Sequence, residues 1–166
     1  MLTADMLSKI RIIAMDVDGV LTDGRIIFDA GGHELKFFDV KDGYAVAQAR
    51  KAGLTTAVIS ARGCPAVRAR MADLKIDKVY LNASPKLEAY EDLLRSTGAV
   101  DNEVCYIGDD VPDLDILRRV GFSAAPCDAA IEVKSAVRYV ALARGGRGAV
   151  REVIETILKD RGQWII

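Results

Sequence analysis

The chain predicts a doubly wound α/β fold, a Rossmann-like parallel sheet with helices on both faces. Three observations predict it. Apolar runs rich in β-branched residues alternate with helical-period stretches along almost the whole length. Several helical stretches close at a glycine, as at Gly53, Gly98 and Gly121. Acidic clusters follow two of the apolar runs directly, and strand ends of an open α/β sheet are where ligands bind. A length of 166 residues predicts a single domain over 1–166.

The elements follow in order. Residues 10–15 read as a buried strand. Residues 25–29 and 33–38 flank Ala30-Gly31-Gly32, a strand-turn-strand pattern that inserts a β-hairpin, about residues 24–39, directly after the first strand. With an apolar face and little to cover it, such a hairpin serves as a lid over the site or as a pairing surface between subunits. Helix 44–52, strand 55–59, helix 65–74 and strand 78–81 come next. Helix 86–95 carries the stripe Leu87, Tyr90, Leu93 and Leu94 at core spacing. Strand 104–107, helix 114–120 and strand 122–125 continue the alternation, and helix 149–159 follows the glycine-rich start of a C-terminal tail, about 144–166.

Composition narrows the function. The chain is 51% hydrophobic and 28% charged, which excludes disorder, collagen-like repeats and a coiled coil. Lys+Arg number 23 against 24 Asp+Glu, so no positive excess exists to bind a phosphate backbone, and nucleic acid is not expected as a partner. No apolar run approaches the roughly 18 residues that span a bilayer, and residues 1–10 lack a signal-peptide pattern, so no membrane is expected and a cytoplasmic location is. Cys64, Cys105 and Cys127 are an odd set without C-x-x-C spacing, which indicates neither a disulfide framework nor a zinc site.

The chemistry gathers at strand ends. The first strand runs into Asp16-Val17-Asp18-Gly19, and the strand at 104–107 runs into Gly108-Asp109-Asp110-Val111-Pro112-Asp113. Two acidic clusters in one crevice are unfavourable unless compensated, and Mg²⁺ held by one or two carboxylates plus a substrate phosphate is the natural compensation. Ser60 follows a strand-like run, where its hydroxyl can bond a phosphoryl oxygen, and Lys86 can neutralise charge shared by phosphate and an aspartate. In the tail, Gly145, Gly146 and Gly148 permit close backbone approach while Arg147 and Arg151 can engage a carboxylate or phosphate, an arrangement suited to an anion clamp.

The order Asp-x-Asp, Ser, Lys, Gly-Asp-Asp-x-x-Asp resembles the haloacid dehalogenase superfamily of aspartyl phosphotransferases over nearly the whole chain. The resemblance implies that Asp16 attacks phosphorus to form an aspartyl-phosphate and that Asp18 is the general acid and base. It implies Mg²⁺ held by the Asp16 carboxylate, the Asp18 carbonyl and Asp109, with Asp110 and Asp113 orienting the ion and Lys86. Only a hairpin-sized insertion follows the first strand, so the chain is similar to the capless subgroup.

Within it, residues 38–44 and 145–152 resemble the family of 3-deoxy-D-manno-octulosonate 8-phosphate phosphatases, which act in lipopolysaccharide precursor synthesis. That resemblance implies substrate contacts at Asp39, Val40, Lys41, Asp42, Gly43, Arg62, Arg70, Arg147 and Arg151, besides Asp18 and Lys86. It also implies a homotetramer assembled through the hairpins, each tail closing a neighbouring site. Many members carry Asn at the Asp39 position and Arg at the Lys41 and Ala47 positions, which keeps a nine-carbon keto-sugar acid 9-phosphate open as substrate. A non-catalytic assembly module, as in animal sugar-nucleotide synthetases, and a phosphoacceptor receiver domain are the other readings. The receiver's acidic pair precedes its acceptor, the reverse of the order here.

Overall fold

The computed structural model describes residues 3–164. A short helix α1 (Ala4–Lys9), capped by the Thr3 side chain, leads into strand β1 (Ile12–Met15). The hairpin follows, with β2 (Ile27–Phe28) and β3 (Glu34–Leu35) paired antiparallel, and then α2 (Val40–Lys51). The chain continues through β4 (Thr55–Ser60), α3 (Pro65–Asp73), β5 (Lys78–Leu81), α4 (Lys86–Thr97) and β6 (Val104–Ile107). It closes with α5 (Leu114–Leu117), β7 (Phe122–Ala125), α6 (Ile131–Ala136), β8 (Tyr139–Val140) and α7 (Ala149–Asp160).

Six strands form one parallel sheet in the order β5-β4-β1-β6-β7-β8, the expected doubly wound fold. The chain winds outward from β1 to β5, returns to β6 on the other side of β1, and winds outward again. The reversal opens a crevice beyond the carboxyl ends of β1 and β6. Alternation along β1 divides the core. Ile13 and Met15 pack with Val46, Met71, Val153 and Ile154 from α2, α3 and α7, while Ile12 and Ala14 pack with Tyr90, Leu93, Ile116 and Val133 from α4, α5 and α6. No described helix is long and apolar enough to cross a membrane.

Several boundaries differ from expectation. The strand expected from residue 10 starts at Ile12, because Ile10 still closes α1 through its amide to the Leu7 carbonyl (3.4 Å). The hairpin strands are two residues each, not five or six. Helix α2 begins at Val40 rather than residue 44: Asp39 caps it by accepting from the Lys41 amide (2.8 Å), so the Asp-Gly pair at 42–43 lies inside a helix rather than in a turn. The helix expected over 114–120 stops at Leu117. Helices α1 and α6 and strand β8 were not expected at all.

Candidate active site

The sheet's switch point carries the acidic residues. Asp16 is the first residue after β1, held in line by its amide to the Ile107 carbonyl (3.0 Å), and Asp109 is the second residue after β6. Lys86 opens α4, and its ammonium bonds Asp16 Oδ2 at 2.8 Å and Asp113 Oδ1 at 2.7 Å. Asp113 is fully buried and committed, accepting also from the Tyr106 hydroxyl (2.7 Å) and the Asp109 amide (3.1 Å). Asp16, Asp18, Ser60, Arg62, Lys86, Asp109, Asp110 and Asp113 line one cavity of about 230 Å³.

Charge in this cavity is unbalanced. Oxygens of Asp16, Asp109 and Asp113 lie within 4.8 Å of one another, and Lys86 is the cation bonded among them. Burial, then repulsion from Asp113, holds the Asp16 carboxyl up at about 6 against the pull of Lys86. Burial, then the charges of Asp16 and Asp113, pushes Asp109 up to about 8. Burial works against the Lys86 ammonium, but the two aspartates outweigh it and raise its pKa. Asp109 Oδ1 is buried without a hydrogen-bond partner among the described residues. Clustered hard oxygen donors, one of them orphaned, with a deficit of positive charge, fit a hard divalent cation.

The loop after β1 is shaped for this closeness. Gly19 has φ +87°, and a Cβ there would fall 1.9 Å from Asp109 Oδ2. The tail presses on the same loop. The Gly146 amide donates to the Val20 carbonyl (2.9 Å), and a Cβ on Gly145 would fall 1.8 Å from the Gly19 carbonyl oxygen.

Asp18 points to a second group of charges. The Lys36 ammonium bonds its Oδ1, and Arg62 Nε stands 3.9 Å from Oδ2. Both cations also reach Glu34, Lys36 at 2.7 Å and Arg62 at 3.3 Å. Glu34 and Lys36 were not singled out from the sequence. The signal was their spacing of two on an extended segment, which places both on one face of the hairpin.

The residues expected to touch substrate divide. Asp39, Val40 and Arg147 line a larger cavity of about 650 Å³ together with Arg25 and Phe37. Residues 23–25 border both spaces, Gly24 the smaller, Asp23 and Arg25 the larger. Other expected contacts line neither. The buried Asp42 carboxylate accepts from the Arg151 amide (2.8 Å) and the Gly148 amide (3.2 Å), so it caps the start of α7. Burial dominates and raises its pKa to about 6, despite those amides. Gly43 lies against the Arg70 guanidinium, which bonds Asp73 (2.6 Å) and lies over the Phe38 ring. Arg151 stacks on Tyr44 and Trp164, and Lys41 is exposed.

No family profile matches the chain. Curated relatives do. The 3-deoxy-D-manno-octulosonate 8-phosphate phosphatase KdsC of Haemophilus influenzae is 41% identical over 157 residues, covering 95% of this chain and 87% of the relative. KdsC of Escherichia coli K12 is 40% identical over 164 residues, covering 97% and 87%. Among solved structures, the Moraxella catarrhalis 3-deoxy-D-manno-octulosonate 8-phosphate phosphatase, in complex with magnesium ion, phosphate ion and KDO, superposes with TM-score 0.92 at 36% identity over 95% of this chain and 90% of that one. Strand order, acidic switch point and these similarities together establish that the chain belongs to the 3-deoxy-D-manno-octulosonate 8-phosphate phosphatase family of the haloacid dehalogenase superfamily.

Proposed function

We propose that this protein is a Mg²⁺-dependent phosphatase that hydrolyses 3-deoxy-D-manno-octulosonate 8-phosphate to the free sugar acid and phosphate. The observation that carries the reading is the buried Asp16–Lys86–Asp113 chain beside the orphaned Asp109 oxygen, in a member of this family. Asp16, Asp109 and the Asp18 carbonyl hold Mg²⁺ in this reading, and the ion offsets carboxylate and phosphate charge so that the two can approach.

The chain's own residues then divide the work. Lys86 keeps Asp16 ionised and aimed. An Asp16 oxygen attacks phosphorus in line, the bond from phosphorus to the sugar oxygen breaks, and Asp18 gives its proton to that departing oxygen. Asp18 next takes a proton from water as the water oxygen attacks the aspartyl-phosphate, releasing phosphate and restoring both carboxyl groups. Ser60, at the end of β4, donates to a phosphoryl oxygen, while Asp110 and Asp113 orient the ion and Lys86. Asp39 and Val40 border the space for the sugar acid.

Phosphate release from the eight-carbon 8-phosphate, with and without Mg²⁺, tests the reading, and Asp16→Asn should abolish release while leaving the fold intact. Substantial turnover by that variant sinks the mechanism. A nine-carbon 9-phosphate is the second reading, favoured by the absence of arginine at Lys41 and Ala47, and the same assay decides it by preference. We place the protein in the cytoplasm as a homotetramer, the tail contributing Arg147 to a neighbouring site. Support comes from the exposed apolar residues Phe28, Leu35 and Phe37 on the hairpin and from the exposed Arg147.

A further inference from the structure

We propose that Lys36 and Glu34 of the hairpin are positioning residues for Asp18, and that they make the hairpin part of the proton-transfer apparatus. The inference rests on the phosphatase reading above. A lysine on a two-stranded hairpin is ordinarily solvated, yet the Lys36 side chain is only 2% exposed, while Phe28 and Phe37 nearby stand open to solvent. Its ammonium joins Asp18 Oδ1 to Glu34, and Arg62 closes the ring from the loop after β4, through Glu34 Oε2 and toward Asp18 Oδ2. The lysine thus fixes Asp18 Oδ1, while Arg62 Nε at 3.9 Å stays beyond hydrogen-bond reach of Oδ2 and leaves that oxygen to carry the proton.

Asp18 needs such restraint. It lies past the end of β1, beyond the ladder that fixes Asp16, and its carboxylate makes no bond to Lys86 or to the Asp113 network. A partly buried ion pair is weak as a source of stability but still constrains geometry, because the enclosed Lys36 charge is costly to leave unpaired. The lysine thus sets where the Asp18 oxygens stand relative to the bond that breaks at phosphorus. Glu34 acts one step further out, by holding Lys36.

A displaced general acid harms only reactions that need the acid. A sugar alkoxide is too basic to leave without a proton, whereas p-nitrophenolate leaves without one. We would measure kcat/KM, which reports the first phosphoryl transfer, for 3-deoxy-D-manno-octulosonate 8-phosphate, ribose 5-phosphate and p-nitrophenyl phosphate. The proteins are the Mg²⁺-loaded full chain and its Lys36→Ala, Lys36→Arg and Glu34→Gln variants, with thermal melts as the control for folding.

Lys36→Ala should lose roughly tenfold or more in kcat/KM on the sugar phosphate beyond its loss on the aryl ester, a part of the 10²–10⁴ that general acid catalysis supplies. Lys36→Arg should recover most of the difference, and Glu34→Gln should show a smaller difference of the same sign. Equal losses on both ester types, or no loss, overturn the proposal. Should Lys36→Ala fail to fold, Glu34→Gln decides by the same ratio. The ratio is read on whichever sugar phosphate the wild type turns over. Failure of the substrate assignment therefore shows in the wild type, and failure of the positioning role shows in the variants.

Discussion

Gly19 stands where the loop after β1, the Asp109 carboxylate and the tail converge, and it has no room for a methyl group. Gly19→Ala adds backbone strain of roughly 1–3 kcal/mol at φ +87° and forces Asp109 aside. Mg²⁺ affinity, measured by calorimetry, should fall about tenfold or more, an effect of that same energy. Asp42 makes a different prediction. Its pKa of about 6 in the folded chain exceeds the ordinary 3.8, so the stability it leaves intact at pH 4 is lost as pH rises through 6. The loss is about 3 kcal/mol at most. Asp42→Asn should flatten the dependence of urea unfolding on pH across that window, and parallel curves for the two proteins refute the assignment. At this scale Asp16, Asp18 and Asp109 stood out in the sequence only through the ordered set Asp-x-Asp, Ser, Lys, Gly-Asp-Asp-x-x-Asp, since each carboxylate alone reads as a solvated loop residue. Glu34 and Lys36 did not, since hairpin charges are ordinarily solvated and only the three-dimensional placement of Arg62 and Asp18 gives theirs a partner.

Helix α7 shows how an element supports the site without touching it. Its apolar side packs on α2 through Val150, Val153, Ile154 and Ile157, all buried, and Asp42 of α2 caps its first turn. Ile154→Ala should cost about 2–5 kcal/mol in urea unfolding with unchanged slope, the usual cost of a cavity in a packed core. The strands of the central sheet were legible from continuous apolar runs, and α4 and α7 from their 3.6-residue stripes. Helix α1 and strand β8 were not, because each is short, lacks period and exists through tertiary bonds. Arg161 at the end of α7 gathers the carbonyls of Leu7 and Ser8, and the Arg138 amide bonds Ser123 before β8 begins. The start of α2 was hidden by Asp42-Gly43, a pair that reads as a turn until Asp39 is seen as a cap.

At the scale of the whole molecule, the hairpin exposes apolar side chains beside the site, Phe28 paired with Glu34 on one face and Leu35 paired with Ile27 on the other. Phe28 is 59% and Phe37 64% exposed. The pair Phe28→Glu and Phe37→Glu should convert the proposed tetramer into smaller species in sedimentation velocity while leaving the thermal melt of the α/β unit near its original position. A wild-type monomer at micromolar concentration overturns the assembly. The contact between tail and loop carries a last consequence. Gly145 and Gly146 meet residues 19–22 backbone against backbone, with no side chain between them to absorb a displacement. The two segments therefore cannot breathe separately. In amide hydrogen exchange, Gly146 should open in the same cooperative event as the turn amides of Leu21 and Thr22, so the start of the tail and the loop after β1 unlock and relock as one kinetic unit.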